Sequence, residues 1–357
     1  MSTMMQDLKA LCDLFGPSGY EDDVRHYLAA RLREAGYTPK TDALGNLLLE
    51  LGQKESDRTL LFEAHMDEVA FMIRGISEGG LLRFGTVGGI DPRVLCGKRV
   101  LVRGKEGKTY PGVIGAKPIH LQSADERERV TKADRMYIDI GATDREDAEQ
   151  MVEKGDYAVF DSPFVRFGDG EGLYKGRAID DRLGCAVLLR IAERLARENT
   201  EIPYRLVFSF GVREEVGFSG AKPATYAIAP THVVALETTA IGDLPDTPEH
   251  ARVADVGRGG VLSVADGGTI YDKGMIRFAL DVAKEEGIAV QVKRYVSGGN
   301  NARHMQQTGT GARALALSAP TRYLHSPACV ADAADCEAIE ALSYQLIRHF
   351  PQLSDER

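Results

Sequence analysis

"RLVFSFGVREEVGFSG", residues 205–220, sets an apolar run directly against two adjacent carboxylates, Glu214 and Glu215. Leu206, Val207, Phe208 and Phe210 leave no polar alternation, so the run reads as a strand buried on both faces. Upstream, Arg182 to Glu198 carries apolar residues at helical spacing. A helix followed by an apolar strand points to a parallel sheet covered by helices. The two glutamates then fall at the carboxyl end of a buried strand, where the plain alternative is a solvated turn.

The pattern continues on both sides. Strand candidates occur at "NLLLEL" (46–51), "TLLFEAH" (59–65), "HVVALE" (232–237), "AVQVKRY" (289–295) and "ARALALS" (312–318), with helices at Lys273–Glu286 and Ala334–Phe350. Two amphipathic helices open the chain, the second announced by Ser18 and Glu21 at capping-box spacing. Between Ala70 and Arg166 the texture changes to short apolar runs separated by glycine-bearing turns, as in "LLRFGTVGGID" and "MYIDIGA". The expectation is an α/β fold: a three-layer α/β/α body with a mostly parallel central sheet (residues 1–69 and 167–357), and an inserted, small β-barrel-like domain (70–166). Within the insert, "SADERERVTKAD" (123–134) reads as a solvated loop.

Bulk properties narrow the function. The 357 residues carry 44 basic and 53 acidic side chains, a net charge of -9, which disfavours nucleic acid and anionic membrane as partners. The start lacks signal-peptide texture and no stretch is long and apolar enough to span a bilayer, so a cytoplasmic location is expected. Five scattered cysteines without a C-x-x-C suggest buried small residues rather than disulfides or a zinc knuckle.

Four strand candidates end in metal-ligating residue types that no strand needs for folding. His65 and Asp67 follow "TLLFEA", Glu214 and Glu215 follow "RLVFSFGVR", Glu237 ends "HVVALE", and His325 lies a short turn beyond "ARALALS". Open parallel sheets bind ligands beyond the carboxyl ends of their strands, so these residues are expected in one crevice. Asp180 and Asp181 stand before a strong helix that needs only one of them as a cap, leaving the other for the crevice. Imidazoles and carboxylates without thiolate suit zinc, cobalt or manganese. Two such ions need a shared carboxylate. Asp180 is the candidate bridge, with His65 and Glu237 completing one site and Glu215 and His325 the other. Glu214 is then the general base for a water bridging the ions, and Asp67 the carboxylate that orients His65.

At these residues the sequence resembles the M42 family of metallo-aminopeptidases, the group of deblocking, glutamyl and tetrahedral aminopeptidases. "GPSGYEDDVR", "AHMDEVAFM", "GVIGAKPIHL", "MYIDIGA", "DDRLGC", "REEVGFSGA", "ALETTAIGDLP" and "PTRYLHSP" carry the resemblance in order along nearly the whole chain. It implies a dinuclear site, usually zinc or cobalt, on His65, Asp180, Glu215, Glu237 and His325, with Glu214 as base and Asp67 behind His65. It also implies a cis bond at Asp180-Asp181, and a homo-oligomer, often a dodecamer, assembled through the inserted domain. Glu237 stands where the family often has Asp, and Asn301 in "SGGNNARHM" where many members have an acidic residue; that segment is expected to border the substrate pocket. The expected activity is removal of amino-terminal residues from peptides. The rivals are a deacylase or carboxypeptidase on the same metal pair, an inactive peptide-binding shell, and a glycosidase, which would need no metal. His26, His120, His232 and His304 read as framework rather than ligands.

Overall fold

The computed structural model describes residues 1–170 and 172–354. Its centre is an eight-stranded sheet in which the strands Arg205–Gly211, Thr59–His65, His232–Ala240 and Arg313–Thr321 lie side by side and parallel. Leu47–Gly52, with Lys40–Thr41 outside it, adds antiparallel at one edge, and Gly260–Leu262 with Val290–Val292 at the other. All seven residues of Thr59–His65 are buried, as expected for a strand covered on both faces. The spatial order does not follow the chain: the strand at 59–65 sits between those at 205–211 and 232–240.

Helix Ile179–Glu198 lies across the strands at 59–65 and 232–240, packed with the helices Thr3–Asp13, Asp22–Glu34 and Ala333–His349. Its buried run from Leu183 through Leu189 contributes about 1.5–3 kcal/mol for each large aliphatic side chain taken from water. The helices Ala221–Ile228 and Ala302–Met305 pack on each other and on the sheet. Among the described residues no helix is long and apolar enough to cross a membrane.

The strands Ala70–Ile76, Leu82–Val87, Arg99–Arg103, Thr109–Gly115, Tyr137–Asp139 and Tyr157–Phe160 close into an antiparallel barrel. Its interior is filled around Phe71, whose ring meets Phe84 and Phe160 edge-on with centroids 5.3 and 5.0 Å apart. The charged segment 123–134 is mostly exposed beside it, with one short helix at Ala124–Arg127. Val165–Arg166 lies outside the barrel and pairs with Leu173–Gly176, which pairs with Cys329–Asp332.

Two local expectations need correction. Ser18 and Glu21 form no capping box: neither caps the helix at Asp22, because tertiary partners claim both side chains. Of the five cysteines, all unpaired, Cys96 is exposed rather than buried.

Candidate metal and catalytic site

The four adjacent parallel strands deliver their side chains to one cleft of about 480 Å³ at their carboxyl ends. His65 closes its strand, and Glu214 and Glu215 follow Gly211, the residue registered against His65. Glu237 sits within its strand, which continues to Ala240, and His325 follows Thr321 by one turn. Asp180 enters from the start of the long helix. The Asp180-Asp181 peptide is cis.

The adjacent acids share the cleft because of the backbone before them. Arg213 adopts a left-handed conformation (φ 57°), which breaks strand alternation and turns the chain across the strand end. Both following N–H groups donate to one buried carboxylate, Glu214 to Asp67 Oδ1 (3.0 Å) and Glu215 to Asp67 Oδ2 (3.2 Å). The Ser18 hydroxyl donates to the same Oδ2. Glu21 Oε1 accepts from the N–H of Arg213 (3.1 Å) and of Gly19 (2.6 Å). Ser18 and Glu21 therefore brace the acidic turn, a role that spacing alone could not reveal.

Each histidine is fixed through Nδ1. His65 Nδ1 faces the Asp67 carbonyl at 3.1 Å and Asp67 Oδ1 at 3.4 Å; His325 Nδ1 faces the Gly89 carbonyl at 2.8 Å. This leaves both Nε2 atoms turned on carboxylates: His65 lies 3.5 Å from Asp180 Oδ1 and 3.9 Å from Glu237 Oε2, and His325 lies 3.3 Å from Asp180 Oδ2 and 3.2 Å from Glu215 Oε2. With each Nδ1 turned to a carbonyl, each Nε2 meets its carboxylates either through a proton of its own or through a cation held between them. Two ligand atoms on one tetrahedral zinc stand about 3.4 Å apart, given bonds of about 2.0–2.1 Å. The separations match that spacing. Asp180 offers one oxygen to each cluster, and its Oδ1 and Glu237 Oε1 are buried without a hydrogen-bond partner.

Asp181 also approaches His65 and Glu237. Its oxygens are engaged elsewhere, however: Oδ1 accepts from Gly184 N–H (3.0 Å) and Oδ2 from His65 N–H (3.2 Å). Asp181 is the helix cap, and Asp180 is the carboxylate left for the crevice.

The electrostatics carry the same signature. Burial, joined by the charges of Glu215, Asp67 and Asp180 against the pull of His65, raises Glu214 well above the usual carboxylate range. Burial likewise raises Glu237. Burial opposes charge on His325, yet Asp180 and Glu215 outweigh it and push the imidazole up to about 11. In the protein without ions, protons gather where divalent cations would be held.

A family model for the M42 glutamyl aminopeptidases matches residues 45–342. The chain belongs to the M42 peptidase family. Glutamyl aminopeptidase of Lactococcus lactis subsp. cremoris is 32% identical over 326 residues, covering 90% of each chain. Among solved structures, a TET aminopeptidase from a marine sediment Thaumarchaeota archaeon superposes with a TM-score of 0.92 at 33% identity, covering 96% of this chain and 95% of that one. The TET1 peptidase of Pyrococcus horikoshii, which can assemble into a tetrahedron or a large octahedral shell, gives 0.86 at 34% identity over 97% and 99%. Aminopeptidase activity and dependence on divalent metal follow from membership of the M42 family.

The remaining candidates sort by position. Asn301 is fully buried and is not among the residues lining the cleft; its Nδ2 donates to Glu63 Oε1 (2.8 Å). An acid there would set two buried carboxylates against each other. Its neighbours Gly298, Gly299 and Asn300 do line the cleft, so the segment borders it although the singled-out residue does not. His304 packs against the Phe218 ring (centroids 5.6 Å apart), His232 against Phe350, and His26 and His120 are exposed.

Proposed function

We propose that this chain is a two-metal aminopeptidase that removes amino-terminal residues from peptides. The observation that carries this reading is the pair of histidine Nε2 atoms facing opposite oxygens of Asp180, with Glu214 beside them on the cleft wall. His65 and Glu237 would hold one ion, His325 and Glu215 the other, and Asp180 both. Zinc and cobalt fit this donor set best, and manganese also suits it. When bound, such a pair polarises a peptide carbonyl and lowers the pKa of a water between the ions.

The chain's own groups do the rest. Asp67 fixes the His65 ring through Nδ1 and, by accepting both backbone N–H groups, sets Glu214 and Glu215 side by side. Glu214, on the cleft wall beside the cluster, would take a proton on its carboxylate from the attacking water and return it to the leaving amine, the general-base role. The unpaired cysteines fit a reducing, cytoplasmic compartment. The exposed apolar residues Val113 on the barrel and Ile119, Leu121 and Val130 in the segment between its strands support assembly through the inserted domain, which we take as residues 70–166.

The test is hydrolysis of an aminoacyl p-nitroanilide panel by metal-stripped protein reloaded with zinc, cobalt or manganese. Metal-restored release from unblocked substrates is expected. Cleavage of N-acetyl amino acids with no release from the anilides would transfer the site to a deacylase, and activity surviving full chelation would refute the metal assignment.

A further inference from the structure

The inserted barrel meets the acidic cluster where one of its strands begins and another ends. The chain enters the barrel at Ala70, which is registered against Val87, the last residue of Leu82–Val87. Gly88 and Gly89 follow and turn toward the cleft. Gly88 is in the left-handed region (φ 86°), and a Cβ there would stand 2.8 Å from Val69 Cγ1 and 3.3 Å from Glu215 Cβ. Gly89 lines the cleft, and its carbonyl stands 2.8 Å from His325 Nδ1. Behind this contact a void of about 10 Å³ is lined by Val69, Phe160, Asp180, Glu215 and His325. The barrel strand ending at Phe160 therefore packs against the ligand set with no more than about one water's space between them.

The two histidines are braced unequally. His65 has a side chain only 1% exposed, and its Nδ1 is met by Asp67, two residues along the same segment. His325 has a side chain 32% exposed and a left-handed backbone (φ 55°). Among the described residues its one hydrogen-bond partner at Nδ1 is Gly89, 236 residues away and across the boundary with the inserted domain. A carbonyl can only accept, so this contact keeps a proton on Nδ1 and leaves Nε2 as the ligand atom. It also fixes the direction in which a partly exposed ring points. Glycine at 88 sets where that carbonyl lies, because any side chain there would strain the left-handed backbone and crowd Val69 and Glu215.

We infer that the Gly88–Gly89 turn is a positioning element for His325, so that the inserted domain completes the ion site of His325, Glu215 and Asp180. The site of His65 and Glu237 is braced from the α/β body instead. The inference rests on the two-metal reading above and gives the inserted domain a part in it besides assembly. Displacing the barrel against the body then acts on one ion before the other.

The experiment titrates zinc into metal-stripped wild type, Gly88→Ala, Gly107→Ala, His325→Ala and the Gly88→Ala/His325→Ala double variant, by calorimetry with elemental analysis of the loaded proteins. Gly107 is the matched control: it stands in a barrel turn with a similar left-handed backbone (φ 72°), and a Cβ there would meet nothing within 4 Å. Wild type should hold two ions per chain. Gly88→Ala should weaken one of them by about 10- to 100-fold, the usual cost of losing a histidine's orienting partner, and keep the other. The weakened ion should be the one that His325→Ala removes, so the double variant should bind as His325→Ala does. Gly107→Ala should bind both ions as wild type does. A merely structural glycine would lower stability in urea without separating the two ions. Wild-type affinities in Gly88→Ala, equal weakening of both ions, or the same loss in Gly107→Ala overturns the inference while the two-metal reading stands. Fewer than two ions in wild type sinks that reading and the inference with it. Should Gly88→Ala not fold, adding Val69→Ala removes the closest contact and keeps the new methyl against Glu215, and the same outcomes decide.

Discussion

Asp67→Asn tests how the acidic turn is held, because the carboxylate meets donors on both oxygens. Oδ1 accepts from Glu214 N–H (3.0 Å) and faces His65 Nδ1 (3.4 Å); Oδ2 accepts from Glu215 N–H (3.2 Å) and from the Ser18 hydroxyl. Asparagine supplies one oxygen. With its amide nitrogen at the Oδ1 position, two buried donors would face a third. With the nitrogen at Oδ2, the Ser18 hydroxyl can turn round and accept, so only Glu215 N–H is stranded, and this arrangement should win. One stranded buried donor costs about 1–3 kcal/mol. The substitution should therefore lower the unfolding free energy of the metal-free protein by that amount in urea, with the m-value unchanged. Because Glu215 is the residue displaced, metal affinity should fall about 10- to 100-fold. Ser18→Ala added to Asp67→Asn then removes the acceptor on which the arrangement depends, so the two substitutions should couple by at least about 0.5 kcal/mol. Stability within about 0.5 kcal/mol of wild type, unaltered metal affinity, and additive single changes would together refute the reasoning.

Glu214→Gln should retain both metals by elemental analysis and lose about 10²- to 10⁴-fold in kcat, whereas Glu215→Gln should lose metal first; equal metal content and equal activity in the two variants would refute the division of roles. Arg182 is fully buried, with Nε donating to the Met66 carbonyl (2.6 Å), Nη1 to Leu11 (2.6 Å), and Nη2 to Gly16 and Glu68 (3.2 Å each). Arg182→Met should destabilise the fold by about 3–5 kcal/mol in urea titration, since three carbonyls and part of a buried charge lose their donor. Glu21, raised to about 7 by burial and then by the Asp67 charge, holds its proton in the folded state across the range where the unfolded chain has released it. The folded state therefore binds more protons between about pH 4.5 and 7, and stability falls as pH rises, by about 1.4 kcal/mol per unit. Glu21→Gln should remove that contribution, so the difference in urea-derived unfolding free energy between wild type and variant should change with that slope across this window, and parallel wild-type and mutant curves would count against it.

The fold was legible wherever the signal was periodic. The continuous apolar runs "LLF" (60–62) and "ALAL" (314–317) leave no polar alternation, which marks them as strands covered on both faces before any neighbour is known. The crevice was legible because His65, Glu215 and His325 stand at or just beyond strand ends where folding does not need them, while Glu237, expected at a strand end, lies inside a strand that runs on to Ala240. What stayed hidden depends on strand order and on partners distant in sequence. Ser18 and Glu21 match a capping box within four residues, yet the groups that claim them, Asp67 and Arg213, lie 49 and 192 residues away. Asn301 belongs to a segment that borders the cleft, but one step along the chain turns it inward to Glu63.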